Sequence, residues 1–493
     1  MPLIDEIYLS PACDRSPKDK DKDVSCWTST NPTSNTTFDS RIFLVITTNR
    51  KRIVMDELLQ ARGGLDLDAS SIFLLSITIL AFLIPVVVIL PPVGLQKADA
   101  LIQTHTKAGV DGSKSNLKKQ FSAEHSPQAN EPPKLQSLVI YPVKSCKGIE
   151  LTRSKVLPSG LEFDRLFTFA QLKSPFPVSL NSSDDEKSQH KWEFITQRQF
   201  SRLANVTVDL WLPDEMKLRK QSMKSKEAFL VIRFPWKEDG WRGLYSTITA
   251  KLQRGRAAEP EIEILLPVDF PSEAEIKENG YTFENVKIWK ETVNALNMER
   301  ELPSELQRYL GVSNKLGIFR IEPDQLREVY RCAPTKDEAG YQPVTGFQDA
   351  YPLHLMTLNS IQKFSEEVPK DDDLKELDVL RFRPNIILSG AEAYDEETWK
   401  QVRFKPGSSG LYNDASCKMP NVDPDTGIRH PSEPDKSLRA KRAVDEGAPL
   451  NGCLGMQLTP LYDASLGDNR ESWIAVGMTV EVEERGQHVY IKQ

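Results

Sequence analysis

The chain has 493 residues, enough for two to four domains at about 100–200 residues each. Hydrophobic residues make up 39% and charged residues 27%, so a packed core is expected. The net charge of −7 argues against a dedicated nucleic-acid binder. The cysteines, Cys13, Cys26, Cys146, Cys332, Cys417 and Cys453, form no C-x-x-C pair, which argues against a disulfide scaffold or a zinc ribbon. There is no H-E-x-x-H, no G-x-G-x-x-G and no G-x-x-x-x-G-K-[ST], so zinc-protease and nucleotide-loop readings lose their signatures.

Residues 1–68 are polar and turn-rich, with runs such as SPKDKDKD, and are expected to be disordered. Residues 72–90 are different in kind. They carry no charge, and 15 of the 19 are Leu, Ile, Phe or Val. At about 0.3–0.6 kcal/mol each, these favour insertion by roughly 5–9 kcal/mol. The length suits a span of about 30 Å. The run lies far from Met1 for a cleaved leader, so 69–96 is expected to be a retained transmembrane anchor. Lys97, Lys107 and Lys114 follow it, which favours a cytosolic C-terminal part. Residues 97–133 are expected to be a polar linker.

The texture turns globular at 134. Leu135, Leu138 and Ile140 predict a buried strand, and 163–172, 206–212 and 229–234 predict further strands. Residues 174–191 predict a loop. Mixed i+3/i+4 spacing of Val286, Trp289, Val293, Leu296, Leu306 and Leu310 predicts helix over 285–311. A second block begins near 315. It predicts strands at 317–321 and 385–388, helices at 358–368 and 395–402, and a closing hairpin with its turn at Arg485-Gly486. The expected organisation is α+β and β-rich: an anchor, a linker, and two globular parts at 134–314 and 315–493.

Three segments could carry chemistry. YPVKSCKGIEL (141–151) ends a strand in a turn offering Lys144, Ser145, Lys147 and backbone N–H groups to an anion. On residue chemistry alone, an ordinary basic surface turn is the better reading. RFRPNIILSG (381–390) puts Arg383 and Asn385 two apart on a predicted strand, hence on one side. They supply a charged fork and an amide, suited to a ring with polar edges plus a phosphate. The plain alternative is a solvent-facing strand edge. SCKMPNVDPDTGIRH (416–430) sets Cys417 before a turn rich in Pro, Asp and Gly. That cysteine reads as a thiolate ligand, a nucleophile or simply a buried thiol. The Asp423 and Asp425 spacing lacks the glutamate of a calcium loop.

The order YPVKSCKG, then Asp164-Arg165, then FRPN, then Cys417 with VDPDTG resembles the MOSC family with its N-terminal β-barrel domain, and within it the amidoxime-reducing group. The resemblance covers about 134–493. It implies two β-barrel-type domains and a molybdenum cofactor, a molybdenum-bearing pyranopterin, with Cys417 as the protein's catalytic thiolate ligand to the metal. It further implies cofactor contacts from Lys144, Ser145, Arg165, Arg383 and Asn385. The stretch YPLHLMTLNS adds Thr357 and Ser360. The implied reaction is removal of oxygen from small N-hydroxylated substrates. Electrons would come from cytochrome b5 and its NADH-dependent reductase, at the cytosolic face of the mitochondrial outer membrane or the endoplasmic reticulum. One departure stands out: the family usually has Arg before the ligand cysteine, and this chain has Ser416. That leaves a second reading, a MOSC module that carries sulfur or holds the cofactor without catalysis. Cys146 is expected to be structural or cofactor-adjacent, and Cys332 and Cys453 core thiols.

Overall fold

The computed structural model describes residues 68–89, 97–174, 189–221, 227–330, 332–405, 410–415, 421–462 and 470–487. The expectation for 1–68, the ligand Cys417 with Ser416, and the final strand of the predicted hairpin therefore lie outside the described residues, apart from Asp68. Two units divide the chain, Met1–Val88 and Ile89–Gln493.

The first unit contributes the helix Ala69–Ile89. Asp68 caps it through Ser71 N at 2.8 Å. Ser76 and Thr78 return their hydroxyls to the carbonyls of Ile72 and Leu74, so neither of these two donors is stranded on the apolar surface. Pro85 is accommodated within it. This is a helix long and apolar enough to cross a membrane, and its apolar side chains are exposed.

In the second unit, an eight-stranded sheet runs in the order Ile386–Ser389, Leu353–Thr357, Met456–Leu461, Gly410–Ala415, Trp399–Lys405, Thr479–Arg485, Lys134–Ile140, Ile149–Leu151. Ile386–Ser389 also pairs with Lys134–Ile140, so the sheet curls back on itself. A separate five-stranded closed barrel joins Thr282–Ile288, Glu291–Asn297, Leu316–Ile321, Phe167–Lys173 and Lys191–Phe194. Leu135, Leu138, Leu355, Ile386, Trp399 and Leu458 belong to one core continuous with Phe167, Phe169 and Leu210. The fold is α+β and strand-rich, as expected.

The sheets do not part at residue 314. Lys134–Ile140 sits in the curled sheet among strands from the far end of the chain, and Leu316–Ile321 sits in the five-stranded barrel. Part of the expected linker is structured. His105–Lys107 pairs with Thr207–Pro213 in an antiparallel four-stranded sheet, and Ala98 and Leu101 pack on Trp211 and Val231. Two apolar side chains in five residues were too sparse to signal this.

Two predicted helices are corrected. Residues 282–297 form an antiparallel hairpin, because Val286 with Ile288 and Val293 with Ala295 alternate into the core. Trp289 turns the corner at φ 53°. The helix appears only at Ser304–Leu310. Residues 395–402 give a short 3-10 turn, Asp395–Thr398, then the strand Trp399–Lys405, whose Trp399, Val402 and Phe404 fill the core. Arg383 and Asn385 do not share a strand either. Arg383 caps a 3-10 turn in the left-handed region at φ 56°, and the strand starts at Ile386. Pro384, lacking an N–H, cannot extend the ladder backwards.

Candidate functional site

The strand Lys134–Ile140 delivers the turn 141–145, which is zipped to the segment 164–167. Arg165 N donates to Tyr141 O at 2.8 Å, Lys144 N to Phe167 O at 2.8 Å, and Phe167 N to Pro142 O at 3.0 Å. Both segments meet the 3-10 turn Val379–Phe382 and its capping Arg383. Lys144, Ser145, Arg165, Arg383 and Asn385 converge on one cavity of about 670 Å3, counted to its mouth. Ser145, Arg165 and Arg383 all have positive φ, at 67°, 49° and 56°. Non-glycine residues pay about 1–3 kcal/mol each for such a backbone, and clustered strain of this kind marks functional loops.

The cavity is rich in positive charge. Lys144 is buried and donates to Phe347 O at 2.7 Å and to Asp349 Oδ1 at 2.6 Å. Burial pushes its ammonium down to about 8, against the pull of Asp349. Burial disfavours the Asp349 carboxylate too, yet the ion pair with Lys144 prevails and holds it below the usual range. Arg165 binds the fully buried Asp164 at 2.5 Å and Asn385 Oδ1 at 3.1 Å. Burial opposes its charge, but Asp164 more than restores it.

The guanidinium of Arg383 lies 4.1 Å from the Tyr141 ring centre, and that of Arg165 lies 4.8 Å from it. Arg383 Nη2 is buried with no hydrogen-bond partner among the described residues. Asn385 is fully engaged: its Oδ1 also accepts from His354 N, and its Nδ2 donates to Val139 O. His354 lines the same wall. Burial, with Arg165 nearby, pushes its imidazole down to about 4, and its Nε2 is also without a partner among the described residues.

Three cations against two carboxylates, Asp349 and Asp164, with donor-bearing atoms left open, suit an anion carrying a polar ring. A phosphate-bearing pterin fits that donor set.

Thr357 and Ser360 stand apart from this cavity. Thr357 caps the helix Leu358–Glu367. The two hydroxyls lie 2.6 Å apart, and both reach Glu396 Oε2, at 3.2 and 2.8 Å. Burial pushes the Glu396 carboxyl up to about 7.

The turn after Cys417 is firmly held. Asp423 Oδ1 accepts from Asp425 N, Thr426 N and Thr426 Oγ1, while its Oδ2 pairs with the buried Arg381 at 2.5 Å. Asp425 pairs with Lys147 at 2.9 Å, and Asn205 Nδ2 donates to Thr426 O. Asp423 thus shapes the turn from within, and Asp425 ties it to Lys147.

Cys146 is buried and its thiol is pushed up to about 12 by burial, which suits a structural role. Cys453 is buried as expected, whereas Cys332 is only half-buried. The sequence reading missed Tyr141, Gln348, Asp349 and His354. His354 lies inside the quoted stretch YPLHLMTLNS, two residues beyond Pro352, and its burial was the missing signal.

Known proteins give the setting for this geometry. The family model of the MOSC N-terminal beta barrel domain matches residues 133–244, and that of the MOSC domain matches residues 342–481. The chain is 31% identical over 315 residues to the mitochondrial amidoxime reducing component 2 of Macaca fascicularis, covering 62% of this chain and 72% of that one. It is 30% identical over 159 residues to the mitochondrial amidoxime-reducing component 1 of Danio rerio, covering 31% of this chain and 46% of that one. It is 24% identical over 353 residues to the molybdenum cofactor sulfurase of Arabidopsis thaliana, covering 70% of this chain and 35% of that one. With both domain models matched in order around the cavity, the chain belongs to the MOSC family and is similar to the mitochondrial amidoxime-reducing components.

Proposed function

We propose that this protein is a membrane-anchored, molybdenum-cofactor-dependent reductase of N-hydroxylated compounds such as amidoximes. The observation that carries the reading is the convergence of Lys144, Ser145, Arg165, Arg383 and Asn385 on one cavity whose Arg383 Nη2 is left unpartnered among the described residues. When bound, the cofactor supplies the two-electron chemistry for removing the substrate oxygen. The chain's own residues bind and orient. Lys144 and Arg383 offer charge to the cofactor's phosphate. Arg165, itself fixed by Asp164, holds Asn385 Oδ1 and so leaves the amide no freedom to rotate. Cys417 is assigned as the thiolate ligand, with the Asp423 turn securing the chain directly after it.

The helix Ala69–Ile89 is assigned as the anchor, with the second unit in the cytosol at the mitochondrial outer membrane or the endoplasmic reticulum. Cytochrome b5 and its NADH-dependent reductase are the proposed electron donors, and a shared membrane would raise their effective concentration.

The name of the Arabidopsis relative, together with Ser416 in place of arginine, supports a second reading: a sulfur-handling or cofactor-holding module. Elemental mass spectrometry of the full chain, made in a cofactor-producing host, tests both. Near-stoichiometric molybdenum with amidoxime reduction by cytochrome b5 supports the reductase. Metal retention without reduction favours the second reading. A well-folded, metal-free protein sinks the first. Cys417→Ser should keep the pterin and lose the activity.

A further inference from the structure

The helix Trp241–Arg254 is turned inside out relative to an ordinary surface helix. Trp241, Leu244, Tyr245, Ile248 and Leu252 are exposed, Trp241 by 85% and Leu252 by 71%. At 100° per residue these positions form one stripe about 100° wide. Among the described side chains, the face turned to the protein buries Gly243, Thr249 and Ala250 and partly buries Ser246 and Thr247, none of them large and apolar. Gly243 is required there, since a Cβ would fall 1.7 Å from Glu238 O. The stripe is therefore the apolar face, and no described part of the chain covers it.

Its setting points to a lipid surface. The helix interrupts two strands, Phe229–Pro235 and Glu261–Pro267, that pair directly and could be joined by a short turn. From 241 to 258 there is no acidic residue, while Arg242, Lys251 and Arg256 are basic and Arg254 is held by Glu261. Tryptophan at one end, leucine and isoleucine along the stripe and basic residues beside it are the composition of a helix lying in a bilayer interface.

We infer that Trp241–Arg254 is a second membrane contact, seated flat in the headgroup region of an anionic bilayer. The inference rests on the anchor reading of 69–89, and the test separates the two. The full chain would be reconstituted in vesicles with about one-third anionic phospholipid, a composition that attracts basic helices, and a trace of phosphatidylcholine bearing a diazirine tail. Lipid adducts would then be mapped by mass spectrometry.

Adducts are expected in 241–252 as well as in 69–89. The triple variant Leu244→Gln, Ile248→Gln, Leu252→Gln should cut the 241–252 adducts by about tenfold and leave those in 69–89, because it removes only the interfacial apolar contacts. These side chains are exposed, so an unchanged melting curve is the folding control. Adducts in 69–89 alone overturn the inference and keep the anchor. Cross-links from 241–252 to a second copy or another protein in place of lipid overturn it in favour of a protein interface. Adducts in 241–252 with none in 69–89 keep this contact and remove the anchor.

Discussion

Two buried polar clusters lie in the curled sheet, and only one is open. Around the 670 Å3 cavity, Lys144, Arg165 and Arg383 outnumber Asp349 and Asp164. Arg383 Nη2 and His354 Nε2 there have no partner among the described residues. Around Glu396 the opposite holds. Thr357, Ser360 and the carboxyl close on one another. The remaining oxygen, Glu396 Oε1, has no hydrogen-bond partner among the described residues, and burial raises the carboxyl to about 7. Both clusters are rich in hydrogen-bonding groups. A ligand site is recognised by donors that the fold leaves unused beside a void, and a structural cluster by donors and acceptors that use each other.

The largest effect that sharpens this contrast is Arg165→Ala. It removes the one charged partner of Asp164 among the described residues, leaving the fully buried carboxylate only the neutral donors Tyr141 N and Gln348 Nε2, and breaks the hold on Asn385. Stranding a buried carboxylate costs about 3–5 kcal/mol. Urea denaturation of the cofactor-free protein should show that loss, and molybdenum content should fall with it. A loss below about 1 kcal/mol would place Asp164 in a much wetter setting than its burial implies.

Next come opposite pH slopes. Glu396 titrates near 7 in the fold against 4.5 in the open chain. The fold therefore keeps a proton that the unfolded chain releases, and the stabilisation is lost as pH rises from about 4.5 through 7. His354 titrates near 4 against 6.5. The unfolded chain takes up a proton that the fold refuses, so stability falls as pH drops from about 6.5 to 4. Each shift corresponds to about 3 kcal/mol, so in the parent the two largely cancel. Glu396→Gln should uncover stability that rises with pH between about 4.5 and 6.5, and His354→Asn stability that falls. Urea midpoints across that range check both signs. Profiles parallel to the parent in both variants would dissolve the contrast. Molybdenum content should be unchanged in Glu396→Gln, since Glu396 does not line the cavity.

The open cluster was legible through the family resemblance that its short motifs carry, since on residue chemistry alone Lys144 and Ser145 read as a basic surface turn and Arg383 and Asn385 as a strand edge. Lys144-Ser145 follows Pro142, and Arg383 and Asn385 flank Pro384. Thr357 and Ser360 fall outside the lining of this cavity, and a Thr-x-x-Ser at a helix start caps that helix whether or not a ligand is near. Asp349 and His354 were missed because only their distant partners, Lys144 and Arg165, give them meaning. The same limit explains the helix expected at 285–311. Apolar residues at 286 and 293 stand a helical seven apart, and they share a face only because the pairing of Thr282–Ile288 with Glu291–Asn297 sets Val286 opposite Val293 on separate strands.

Lys144→Met tests whether the open cluster holds charge for a ligand rather than for stability. The ammonium is buried at a desolvation cost that its bond to Asp349 only partly offsets. Methionine fills a similar volume without that cost, and the Asp349 side chain, 48% exposed, turns to water when its partner goes, so stability should change by less than about 1.5 kcal/mol, in either direction. Cofactor retention should nevertheless drop. A variant with full molybdenum occupancy would remove Lys144 from the anion site.

The smallest expected effect concerns the turn after Cys417, which two ion pairs of unequal burial secure. Arg381–Asp423 has its arginine side chain 2% exposed, while Lys147–Asp425 is 44% and 74% exposed. Water and salt screen the second pair, so Lys147→Ala should cost no more than about 1 kcal/mol, and the shift in melting temperature should shrink further at high ionic strength. Asp423 also holds the turn through three bonds within 423–426, none of which involves Lys147. The turn should therefore keep its shape in this variant. A salt-independent loss of several kcal/mol would mean that Lys147 acts as part of the closed architecture, and the division between open and closed polar groups would have to be redrawn at that turn.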